Sequence, residues 1–92
     1  MSLLFQWDPR KARANERKHG ISFEEASSAF GDPLSITIYD PDHSRNEKRY
    51  ILVGETSNRR LVIISHTEDG DMIRIISARL ATKRERKAYE EK

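Results

Sequence analysis

Ninety-two residues make a single domain, 1–92, with no room for a second core. The chain has no cysteine, which excludes disulfides, thiolate catalysis and thiolate zinc sites. Its 17 Lys and Arg against 15 Asp and Glu leave a formal charge of only +2, too little by itself to argue for nucleic acid.

Leu3 to Trp7 is a short apolar and aromatic run that reads as an edge strand. Asp8-Pro9 ends it and starts a helix, because Asp caps well and Pro fits the first helical position. That helix is expected to run to Lys18 or His19, with basic side chains in its last turn and Gly20 as the left-handed stop. Ser22-Phe23-Glu24-Glu25 has capping-box spacing and opens a second helix, with Phe23, Ala26 and Phe30 as its buried stripe. Gly31-Asp32-Pro33 closes it.

The period then changes from helical to alternating. Leu34, Ile36 and Ile38 alternate with Ser35, Thr37 and Tyr39, the pattern of a half-buried strand. A polar connection from Asp40 to Lys48 leads to a strand over Arg49 to Thr56. Ser57-Asn58-Arg59 turns into another strand, Leu61 to Thr67. Glu68-Asp69-Gly70-Asp71 carries the Asp-Gly hairpin signal before a strand at Met72 to Ala78. Thr82 with Glu85 forms a further capping box and starts the last helix. Strands joined by short turns run antiparallel. The expected fold is therefore α+β: an antiparallel β-sheet meander with two N-terminal helices and one C-terminal helix, the helices on one face and the other face open to a ligand.

No apolar run approaches the roughly 20 residues of a membrane helix, and the start of the chain lacks the apolar stretch of a signal peptide. A soluble, cytoplasmic protein with no membrane partner is expected. No metal-ligand spacing, Gly-rich phosphate loop or Gly-x-Ser-x-Gly elbow occurs, so neither metal nor cofactor is expected.

The charge is unevenly placed. Asp8 to Gly20 holds five Lys or Arg against two acids, and Arg79 to Lys92 holds six against three. Solvated helix faces explain such segments as well as an RNA surface does; as RNA contacts they offer Lys18, His19, Lys83 and Arg84. Arg74 and Arg79 lie in or beside a strand that otherwise reads as buried, where a guanidinium is costly without an anion to meet. Their spacing gives them opposite parity, so they share a face only if a bulge or the strand's end lies between them. His43, Glu47, Lys48 and Arg49 gather at one strand entrance, whereas His66, near a strand end, is read as facing outward. A metal-free ribonuclease needs a base for the 2′-hydroxyl, cations for the crowded phosphorane and an acid for the leaving oxygen. His43, Glu47, Lys48, Arg49, Arg74 and Arg79 supply those groups, with His43 or Glu47 as base. A non-catalytic nucleic-acid-binding module, or a module that only binds a protein partner, is the alternative.

The chain resembles the BrnT family of toxins from type II toxin–antitoxin systems. The resemblance rests on FQWDPRKARANERKHGISFEEA from Phe5, Asp32-Pro33, DHSRNEKRYILVGET from Asp42 and IRIISARLATKRERKAYEE from Ile73, in that order. It implies a RelE-like ribonuclease fold and RNA cleavage that inhibits translation. It also implies neutralisation by a BrnA-type antitoxin, a ribbon-helix-helix DNA-binding protein, in a hetero-oligomer that reaches operator DNA only through the antitoxin. Arg74 and Arg79 fall in the RIISAR segment, and His43, Glu47, Lys48 and Arg49 in the HSxxExR segment.

Overall fold

The computed structural model describes residues 2–91. Five strands form one sheet: β1 (Leu4–Gln6), β2 (Ile36–Tyr39), β3 (Arg49–Glu55), β4 (Leu61–Asp69) and β5 (Met72–Leu80), in spatial order β1-β5-β4-β3-β2. From β2 to β5 the sheet is an antiparallel meander; β1 closes it by pairing parallel to β5, Leu4 to Met72 and Gln6 to Arg74.

Local signals set the helix ends. Asp8 accepts from the Arg10 N–H, Pro9 opens α1 (Pro9–His19), and Gly20 ends it at φ 71°. Ser22 caps α2 (Phe23–Ser27) through the Glu25 N–H, and the chain then tightens into a 3-10 turn at Ser28–Gly31. The second helix is therefore shorter than its Phe23-to-Phe30 stripe suggested. The reciprocal half of its capping box is missing because the Glu25 carboxylate is held elsewhere. It takes two hydrogen bonds from Arg60, at 2.9 and 2.6 Å, and one from Thr56 at 2.8 Å. Thr82 and Glu85 form a complete capping box at the start of α3 (Lys83–Glu90).

One face of the sheet carries the core. Leu52, Val62, Ile64, Ile73, Ile75 and Ala78 pack there against Ile21, Phe23, Ala26 and Ala29. Burial of these apolar side chains is the main stabilising term. Phe30 sits edge-on to Phe5 and to His66, with centroids 5.1 and 4.9 Å away. Past the end of β1, α1 takes over the edge of β5. Asn15, 8 % exposed, donates to the Ala78 carbonyl at 2.8 Å and accepts from the Ala78 N–H at 3.1 Å. A buried amide thus stands in for a missing strand and blunts that edge.

Three expectations need correction. Helices do not keep to one face: α3 lies against the other, where Glu85, Ala88 and Tyr89 line an apolar groove with Ile36, Ile38 and Val53. Three side-chain hydrogen bonds hold it there: Arg79 donates to both Glu85 oxygens at 2.8 Å, and the Tyr89 hydroxyl donates to Asp32 at 2.5 Å. Nor is β2 half-buried. As the edge strand of the meander it is exposed throughout, Ile38 at 54 %. His66, finally, faces inward. It is wholly buried between Phe30 and Tyr50, its Nε2 2.9 Å from Glu68. None of the described helices is long and apolar enough to cross a membrane.

The Glu25–Arg60 pair makes stability depend on acid. Arg60 hydrogen bonds hold the Glu25 carboxyl down to about 2, from an ordinary 4.5. Arg79 does the same for Glu85. A carboxyl lowered by folding stabilises the native state above its unfolded value, and that contribution is lost as pH falls through the folded one. The urea midpoint should therefore fall between pH 4.5 and about 2. In Glu25→Gln the decline should be shallower; an unchanged slope would remove this pair from the acid response.

Candidate active site

The second face of the sheet is set by register. Arg49 pairs with Thr67, Ile51 with Ser65 and Val53 with Ile63, and Arg79 lies opposite Ile63. Between Ser65 and His66 the register with β5 slips: Ser65 faces Ser77, but His66 faces Ile75. Ile76 is the extra residue of a bulge. Because of it, Arg74, opposite Thr67, reaches the same face as Arg79 despite their opposite parity.

On that face lies a cavity of about 340 Å³, lined by β-strand side chains of Arg49, Ile51, Ile63, Ser65, Ser77 and Arg79. Two other elements complete its wall. Asp40 and His43 come from the turn at Pro41–His43 that leads into β3, and His19 comes from the C-terminus of α1. Their placement has local causes. Pro41 starts a 3-10 turn that closes Asp40 onto His43, leaving the carboxylate Oδ2 2.8 Å from His43 Nδ1. Ser44 braces the turn, donating to the Asp40 carbonyl at 2.5 Å and accepting from the Arg49 N–H at 2.9 Å. His19 is positioned because α1 is docked along β5 through Asn15.

The cations differ in how they are held. Arg79 donates to both oxygens of Glu85 at 2.8 Å, a fork-to-fork pair that raises its own basicity and fixes its plane. Arg74 donates to Glu47, which also lies 3.6 Å from Arg49, so one carboxylate ties two guanidiniums together. The Arg74 hydrogen bond holds the Glu47 carboxyl below its ordinary value. Arg49 Nε is buried without a hydrogen-bond partner among the described residues.

The sequence-derived residues thus divide into groups. His19, His43, Arg49 and Arg79 share the cavity described above, and His43 and Arg49 also line a second hollow with Glu47. Glu47, Lys48 and Arg74 line an adjoining hollow with Gln6, Thr67 and Met72. Lys18, Lys83 and Arg84 are exposed and line none of these. Asp40 is absent from the sequence-derived candidates, although a carboxylate three residues before a histidine, across a turn-forming Pro, is a signal for it. Glu85 reads in the sequence only as a cap; its partnership with Arg79 crosses from helix to strand and has no mark in the local sequence. Among the described residues no group of three or more His, Asp or Glu side chains is placed to hold a metal ion.

Residues 7–85 match the family described as the ribonuclease toxin, BrnT, of type II toxin–antitoxin systems. The chain belongs to this family. Among solved structures, this BrnT-family chain is similar to the Brucella abortus ribonuclease toxin BrnT, a crystal structure at 1.1 Å. The TM-score is 0.56 with 24 % identity, over 90 % of this chain and 99 % of that one. At that identity the likeness speaks for the fold. No curated protein sequence matches the chain. Membership of the BrnT family makes it a ribonuclease toxin, and a toxin of a type II system has an antitoxin as its partner.

Proposed function

We propose that this chain is a metal-independent endoribonuclease that cuts RNA by transesterification, leaving a 2′,3′-cyclic phosphate and a 5′-hydroxyl end. The observation that carries the reading is one cavity walled by two imidazoles and two guanidiniums. In it, His43 takes the proton of the 2′-hydroxyl as that oxygen attacks phosphorus. Arg49 and Arg79 meet the charge that builds on the non-bridging oxygens. The bond to the 5′-oxygen breaks, and His19 gives that oxygen its proton. Glu47 is the weaker candidate for base: its carboxyl is held ionised by Arg74, and a carboxylate so stabilised has little affinity for a proton. It serves instead to hold Arg74 and Arg49. Lys48 and Arg74 extend the cationic track beside the cavity, and Lys18, Lys83 and Arg84 contact the RNA backbone beyond it.

In the cell this activity inhibits translation in the cytoplasm and is neutralised by a BrnA-type antitoxin with a ribbon-helix-helix DNA-binding part. The complex is a hetero-oligomer that meets operator DNA only through the antitoxin, and the toxin fold is of the RelE type. The test is purified chain, free of antitoxin, with end-labelled single-stranded RNA in EDTA. A cyclic-phosphate product is expected. Cleavage only on adding a divalent metal would sink the metal-independent mechanism, and salt-sensitive RNA binding with no product would favour a binding module.

A further inference from the structure

Asp40 brings a carboxylate into the lining of the cavity. Glu47 and Glu85 lie outside that lining and are engaged by arginines, whereas Asp40 contacts an imidazole. Its side chain is only 11 % exposed while that of His43 is 67 % exposed, so the acid lies beneath the ring and the ring reaches solvent. The Asp40 backbone is fixed independently: its N–H donates to the Arg49 carbonyl at 2.9 Å and its carbonyl accepts from Ser44. The carboxylate is thus free of the turn's own hydrogen bonding.

From this geometry we infer that Asp40 is the positioning residue for His43, fixing which imidazole nitrogen acts as base. The inference rests on the reading of His43 as general base. An ionised carboxylate only accepts hydrogen bonds, so the proton shared across the 2.8 Å contact sits on Nδ1. In the neutral imidazole Nε2 then keeps its lone pair, as a base must. The same bond restrains rotation of a ring on an exposed turn, which otherwise samples several orientations. Once Nε2 has taken the 2′-hydroxyl proton, the imidazolium faces a carboxylate that stabilises its charge. The Asp40 proton count does not change through the step: the proton moves from the 2′-oxygen to Nε2 and no further.

The test compares Asp40→Asn, His43→Ala and the double variant with the wild-type chain, each checked for folding by circular dichroism. The Asp40→Asn substitution keeps the size of the side chain but offers either a donor or an acceptor to Nδ1, so it no longer imposes one tautomer. We expect kcat to fall about tenfold to a hundredfold in Asp40→Asn, part of the usual contribution of a general base, with KM unchanged. The double variant should be no slower than His43→Ala alone, since a positioning residue has nothing left to position. Nitrogen-15 spectra of the imidazole give an activity-independent readout: His43 should hold the Nδ1–H form in wild type and shift toward a mixture in Asp40→Asn. Full activity in Asp40→Asn with a dead His43→Ala overturns the role of Asp40 and leaves that of His43 intact. An active His43→Ala overturns the base assignment itself. Losses that add in the double variant, or an unmoved tautomer, would show that Asp40 acts elsewhere.

Discussion

Arg79→Ala is expected to lower the rate of RNA cleavage by about 10²- to 10³-fold, the effect of removing one preorganised donor to a developing oxyanion. Arg79 is the cation best placed for this. It sits on a sheet strand, its plane is fixed by both oxygens of Glu85 at 2.8 Å, and it lines the cavity that also holds both imidazoles. A donor already oriented need not reorganise as charge builds. The substitution should leave the fold in place: α3 keeps its Thr82 cap and its Tyr89–Asp32 bond, and the core lies on the opposite face of the sheet. Arg79→Lys should recover only part of the rate, because an ammonium keeps the charge but not the planar fork. Measured kcat on labelled RNA, with circular dichroism as the folding control, decides it. Wild-type cleavage by the alanine variant would take Arg79 out of the site.

The two histidines should be separable by the leaving group of the substrate. Each alanine variant is expected to lose about 10²- to 10⁴-fold on ordinary RNA, the range for one general acid or base. On a uridine 3′-phosphodiester whose leaving group is p-nitrophenolate, expulsion needs no proton. There His19→Ala should regain most of its activity, whereas His43→Ala should stay slow because the 2′-hydroxyl still needs a base. Rescue of His43→Ala and not of His19→Ala would exchange the two roles. Equal behaviour of the variants would reduce both to binding the phosphate. Their shared cavity makes the experiment worthwhile: 24 residues apart in sequence, they reach it from an α-helix end and from the turn before β3.

Much of this fold was legible in the sequence because its signals act over a few residues. Asp8-Pro9, Gly20 and the Thr82–Glu85 box set helix ends through hydrogen bonds within one turn, and Asp69-Gly70 sets a hairpin through the φ of 60° that glycine adopts at low cost. Cationic residues on strands likewise declared themselves by type. What the chain leaves open is direction. Alternation shows that a strand has two faces but not which one α3 covers, nor that β2 is an edge whose isoleucines remain exposed. The orientation of His66 escapes the sequence for that reason: its strand is recognisable, yet its burial depends on Phe30 and Tyr50 from elsewhere in the chain.

The site depends on tertiary structure still more strongly. Arg74 and Arg79 share a face because β5 carries one more residue than β4 at Ile76, and a shift of one residue turns every side chain beyond it to the other face. No local pattern marks that slip, which comes from fitting two whole strands together. The pairing of Asn15 with Ala78, which brings His19 to the cavity, spans 63 residues. The sequence by itself determined the elements, their order and the chemical types available, since these follow from backbone preference and side-chain identity. Only the folded chain decided which of those groups meet, because cavity and charge pairs arise from register and docking between segments that have no contact until they fold.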